Sequence, residues 1–167
     1  MLKEMVIIYL VMLLSNSCVD QSNEKAFIAK YGLEDFSQFK DTDMTFRGSD
    51  RQGNFIVFGY APNLINTSEA GYYVVILDSK NYQVIETELV RAEDYANADM
   101  IKLHQLAQTF MRYEISRLNV DAQGSVFIYL ENAAALALVR FANESELLKR
   151  SKEMKWIKIK DNWYKPN

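Results

Sequence analysis

Two short stretches, Phe55-Ile56-Val57-Phe58 and Tyr73-Val74-Val75-Ile76-Leu77, are apolar at every position and rich in β-branched and aromatic side chains. Successive side chains of a strand point to opposite faces, so an uninterrupted apolar run calls for cover on both faces, or nearly so. These runs therefore belong at the centre of a sheet, and the rest of the chain has to be arranged around them. Met44 to Gly48 and Tyr82 to Val90 have the same strand character. Ser49-Asp50-Arg51-Gln52-Gly53 and Asp78-Ser79-Lys80-Asn81 carry the residues of tight hairpins, while Ala61 to Gly71 is a longer polar connection holding Pro62, Asn63 and Asn66. Four antiparallel strands between Met44 and Val90 follow.

The period then changes. From Glu93 to Leu118, Ala96, Met100, Leu103, Ala107, Phe110, Met111 and Leu118 recur at helical spacing, with Glu93, Asp94 and Asp99 near the start and Arg112 and Arg117 near the end. This predicts one long amphipathic helix lying on the sheet. Beyond it, Ser125 to Leu130 and Ala134 to Phe141 read as two more strands, although Ala133 to Leu138 also suits a helix. Lys155 to Tyr164 reads as a terminal strand or hairpin whose alternating lysines suit an exposed edge. Asn23 with Gly32, and Asn143 with Glu146, bracket or cap short helices near the two ends. The expected architecture is α+β: an antiparallel sheet of about six strands packed with one long amphipathic helix and short terminal helices. It occupies residues 24–167 as one domain. Aromatic residues make up 13% of the chain, which argues against disorder, and a net charge of −3 does not suit a polyanion-binding protein.

The amino terminus carries a different kind of information. Met1 to Glu4 precede ten apolar residues, Met5 to Leu14, and then Ser15-Asn16-Ser17-Cys18. Ten helical residues rise only about 15 Å, half of a bilayer's hydrocarbon core, so the segment reads as an export signal over 1–17 and not as a span. Cys18 is the chain's single cysteine and follows a small residue at the edge of the apolar run. The segment resembles the signal peptide and relaxed lipobox of bacterial lipoprotein precursors. The resemblance implies that Cys18 becomes the first mature residue, joined by a thioether to diacylglycerol and acylated on its amine. It also implies a cell-envelope location on the periplasmic or surface face of a bacterial membrane, with the bilayer itself as a partner. Ordinary cleavage at the small-x-small triplet Ser15-Asn16-Ser17, a retained anchor and a buried structural thiol are the alternatives. Residues 18–23 would form a tether reaching roughly 15 to 20 Å.

No GxGxxG, P-loop, HExxH, GxSxG, CxxC or EF-hand spacing occurs in the chain. With one histidine and one cysteine a zinc site would need carboxylates almost throughout, so neither cofactor nor metal is implied. His104 falls on the flank of the predicted helix, as a hydrogen-bonded boundary residue or as a general base. Glu114 falls in the middle of that helix's apolar face, where a carboxylate must find a partner or raise its pKa. Arg117 one turn on, Arg140 on a neighbouring strand, or water at a fraying last turn would satisfy it; a ligand-binding or catalytic carboxylate is the other possibility. Tyr60 and Tyr72 flank the Ala61 to Gly71 connection, so these tyrosines with Asn63 are the candidate contact residues for a ligand or envelope protein partner.

Residues 147–167 hold seven basic residues against Glu153 and Asp161, a net of +5 that leaves −8 on residues 1–146. A solvated helix and edge strand explain those charges, as would contact with anionic headgroups. The leading functional expectation is a membrane-anchored envelope lipoprotein serving as a non-catalytic binding or accessory module, with nucleic acid excluded as a partner. The alternatives are an immunity-type lipoprotein that neutralises a basic toxin and a small hydrolase using Glu114, Glu86 or Glu88.

Overall fold

The computed structural model describes residues 23–65, 71–90, 96 and 98–167. The signal segment, Cys18 and most of the tether lie outside the described residues, as do Glu93 and Asp94. The chain divides into two compact units, Met1–Glu34 and Asp35–Asn167. In the first, residues 23–31 are helical (α1). Phe27 and Tyr31 stack one turn apart, 5.2 Å between ring centroids, and the Gly32 amide closes the helix on the Ile28 carbonyl at 2.8 Å.

The second unit is built on a single antiparallel sheet. Its strands are β1 (Thr42–Ser49), β2 (Phe55–Tyr60), β3 (Tyr72–Leu77), β4 (Val84–Leu89), β5 (Arg117–Val120), β6 (Val126–Tyr129), β7 (Leu138–Arg140), β8 (Trp156–Lys160) and β9 (Trp163–Pro166). They lie in the order β4-β3-β2-β1-β5-β6-β7-β9-β8. The helices of this unit are α2 (Met100–Met111) and α3 (Glu144–Arg150). Two consecutive meanders thus join along one seam, where β1 pairs with β5 through Thr42–Val120, Met44–Leu118 and their neighbours.

This arrangement corrects the sequence expectation on two counts. The sheet has nine strands among the described residues, where about six were expected. The long helix from Glu93 to Leu118 is absent: Ala98 pairs as a bridge with Ile65, Asp99 caps the Lys102 amide at 3.0 Å, and α2 ends at Met111. Tyr113 N–H bonds to the Phe110 carbonyl, and Glu114 then takes a left-handed φ of 55°. No α-helix continues through that conformation. The misreading has a definite cause. Leu118 continues the helical series of Phe110, but it also opens an alternation of its own, in which Leu118 and Val120 are buried and Arg117 and Asn119 are only partly so. Residues 117–120 form β5 instead, and the gain is a ladder with β1 on one side and β6 on the other.

The two sheet faces differ. α2 lies on the face carrying Met44, Val57, Tyr73, Val75 and Leu118, all fully buried, and contributes Leu103, Leu106, Ala107 and Phe110. On the opposite face, at the β6–β9 end, Phe127, Val139 and Phe141 pack with Leu147 of α3 and with Trp156 and Tyr164 of the terminal hairpin. Asn143 caps α3 through its side-chain oxygen, which accepts from the Glu146 amide at 3.0 Å. The edge strand β8 presents exposed Lys158 and Lys160, charges that discourage pairing with a further strand.

Gly59 on β2 faces Tyr73 on β3, and the tyrosine ring lies across it. A Cβ at Gly59 would come within 2.2 Å of Tyr73 Cζ. That ring has nowhere to go, because it is fully buried and its hydroxyl donates to Met44 Sδ at 3.0 Å. Gly59→Ala should therefore lower the unfolding free energy by about 1–3 kcal/mol, the usual cost of overpacking a core. Denaturant titration checks this, and an unchanged midpoint would show that the ring can swing aside.

Candidate functional site

On the face opposite α2, no helix or strand of the Asp35–Asn167 unit covers the β4–β1 half of the sheet. Antiparallel register sets two rows of side chains across it. Tyr72, Tyr60 and Asp43 are cross-strand neighbours in the first row, and Val74, Phe58, Thr45 and Arg117 in the second. The Tyr60 and Tyr72 rings lie 4.8 Å apart between centroids, and Phe58 sits 5.7 Å from Tyr72. Arg47 reaches over the Phe58 ring at 5.8 Å. Together with Asp43, Thr45 and Arg117 these side chains line a shallow concavity of about 280 Å³.

One charged pair anchors this surface. Arg117 Nε donates to Asp43 Oδ1 at 2.9 Å, its NH2 group donates to Oδ2, and the guanidinium lies over the Tyr129 ring at 4.9 Å. The bidentate hydrogen bond to Asp43 raises the arginine's pKa further above its ordinary value. Both side chains are partly exposed, so the pair orients the floor of the concavity more than it stabilises the fold.

The residues singled out in the sequence fare unequally. Tyr60 and Tyr72 come together on β2 and β3, and Tyr72 is 41% exposed. Asn63 does not join them; its Nδ2 donates to Asp41 Oδ2 at 2.8 Å, which ties the connecting loop to the start of β1. Glu114 is exposed at the exit of α2, not buried on a helix face. The two proposed arginine partners are engaged elsewhere: Arg117 with Asp43, and Arg140 between the Phe36 and Trp163 rings at 5.1 and 5.4 Å. Glu86 and Glu88 are exposed on the edge strand β4 and do not share a cleft with Glu114. Cys18 lies outside the described residues. Among the described residues no group of three His, Cys, Asp or Glu side chains is placed to hold a metal ion.

Sequence reading missed Asp43, Thr45, Arg47, Phe58 and Arg117. The first three alternate with Met44 and Phe46 and were readable as the polar face of a strand. Arg117 was hidden inside the predicted helix. No family model, curated protein or solved structure matches the chain.

His104 sits on the sheet-facing flank of α2, with Nε2 2.9 Å from Thr87 Oγ1 on β4. Burial lowers its pKa below the ordinary 6.5. The unfolded chain therefore takes up the proton first as pH falls. The associated stability is complete above 6.5 and is lost as pH drops toward the folded-state value. The melting temperature should rise with pH up to about 6.5 and level off above it, and His104→Gln should flatten that rise. Equal slopes in the two proteins would assign the dependence to other groups.

Proposed function

We propose that this chain is a non-catalytic binding module held at a bacterial envelope membrane by a lipid on Cys18, with the aromatic concavity of β1–β3 as its contact surface. The observation that carries the reading is the pairing of Tyr60 and Tyr72 beside Phe58 and Arg47 on a sheet face that no element of its own unit covers. Aromatic rings with polar tips, together with arginine, are the groups that dominate recognition energetics. They are also costly to leave half in water, which favours a surface completed by a partner. The anchor rests on the apolar run Met5 to Leu14 and on the placement of Cys18 after Ser17. Among the described residues no helix is long and apolar enough to cross a membrane.

A photo-crosslinking residue at position 72, in the full chain and in its native membranes, should capture a discrete partner. The same group at exposed Ile101, on α2, should not. Tyr60→Ala with Tyr72→Ala should weaken the captured interaction by roughly 30-fold or more, as loss of a hot spot does, with little change in melting temperature. A collapse of the melting transition would make the two rings structural, and capture from position 101 alone would move the contact surface to the helix face.

The anchor has its own test. Intact mass of the protein from native membranes should equal residues 18–167 plus a diacylglyceryl group and an acyl chain, and Cys18→Ala should carry neither. An unlipidated, soluble wild-type chain starting at Cys18 or later would make the protein freely diffusing and remove the membrane from the proposal.

A further inference from the structure

A second concavity, of about 360 Å³, opens on the α2 side of the sheet at the far end of β1 and β2. This is near the lower end of small-molecule pockets, which run from roughly 300 to 1,000 Å³. Its walls are three aromatic rings from three different turns of chain. Phe46 stands at the last regular pair of β1 before the register shift to Ser49, Phe55 opens β2, and Tyr82 comes from the β3–β4 hairpin. Phe46 and Phe55 are perpendicular with centroids 5.4 Å apart, and Tyr82 lies 6.2 Å from Phe55. Buried Met111 and Ile115 line it as well, and Glu114 and Glu131 add two exposed carboxylates.

The backbone is held in an uncommon shape to produce this arrangement. Only four non-glycine residues have positive φ among the described residues, and two of them, Tyr82 at 58° and Glu114 at 55°, line this cavity. A bulky side chain in the left-handed region is disfavoured and persists only where its surroundings impose it. At Tyr82 those surroundings are visible. Its amide bonds to the Asp78 carbonyl at 2.9 Å, and its carbonyl accepts from Gln108 Nε2 of α2 at 3.0 Å. The helix thus holds the backbone that carries the third ring.

Three aromatic rings lining one concavity with carboxylates beside them suit a cationic ligand. The face of an aromatic ring carries partial negative charge and attracts a cation, most strongly when the cation is weakly hydrated. A quaternary ammonium spreads its charge over methyl groups that also make dispersion contact with the rings, and the carboxylates add longer-range attraction. We propose that the cage of Phe46, Phe55 and Tyr82, with Glu114 and Glu131 beside it, binds an alkylammonium group of the choline type. The group arrives either on a free solute or on a lipid headgroup. A neutral apolar group of the same shape gains the dispersion contacts but not the electrostatic ones, and that difference is measurable.

The test is a titration of the full chain carrying Cys18→Ala, followed by NMR, with choline and with its neutral isostere in which carbon replaces nitrogen. Choline should shift aromatic resonances of Phe46, Phe55 and Tyr82 and bind at least tenfold more tightly than the isostere. Phe55→Leu should abolish that preference. Glu114→Gln, which keeps the shape, should weaken choline several-fold without affecting the isostere. Leu148→Ala, on exposed α3, should change neither. Equal binding of choline and isostere, choline binding that survives Phe55→Leu or is lost with Leu148→Ala, or no binding at all would overturn the proposal. Short-chain phosphatidylcholine, kept monomeric, separates the sources: tenfold preference over choline assigns the group to a lipid headgroup, and parity or weaker binding to a free solute.

Discussion

The pairing of β1 with β5 is the constraint on which the rest of the larger unit depends. Strands β1 to β4 form one local meander and β5 to β8, with β9, another; each could hold its own hairpins but neither could bury both faces. The register Thr42–Val120 through Thr45–Arg117 joins them into one sheet across more than seventy residues of chain. Met44 and Leu118 meet there on the helix side, fully buried, while Asp43 and Arg117 meet on the other. A contact so distant in sequence carries a large loop-closure cost, offset only because it completes a core on one face and a second cluster on the other.

That seam also explains why the two faces have different fates. The helix connecting the meanders has room for three turns, and it packs where the apolar rows of β1, β3 and β5 coincide. The segment after β7 forms α3 on the opposite face, where Leu147 packs against Phe127, Val139 and Phe141, and then extends the sheet through β9 and β8. The remaining outer surface of β2 and β3 keeps apolar side chains without an element of the same unit over them. Tyr60, Tyr72, Phe58 and Arg47 shield one another there, and the Asp43–Arg117 pair marks the edge between the covered and uncovered halves.

Much of the local structure was legible from the chain. The turns at Asp50 to Gly53 and Asp78 to Asn81 fall between β1 and β2 and between β3 and β4, and the Asp50 and Asp78 side chains accept from backbone amides two residues on. Asn143 caps a helix, and the lysines of β8 mark a sheet edge. The adjacency of Tyr60 and Tyr72 followed from the hairpin logic of β2 and β3. The extent of α2 was not legible, because Leu118 stands at helical spacing from Phe110 and at strand spacing from Val120 alike. Glu114 was misplaced for the same reason, and Arg117 was lost to the site as a consequence. Asn63 was assigned to a recognition loop on sequence proximity, and its bond to Asp41 depends on where β1 begins.

What the sequence determined by itself is what short-range chemistry controls: which segments extend, where capping and turn residues interrupt them, and that the amino terminus is apolar and ends in a lone cysteine. What only the tertiary structure decided is which face each strand shows, where α2 stops, and which side chains from separate strands share a surface. Local preferences are settled within a few residues, by steric limits on φ and ψ and by side chains bonding to nearby amides. The choice between helix and strand after Met111 instead turned on partners more than fifty residues away in β1, and a contact of that kind leaves no mark on the segment that makes it.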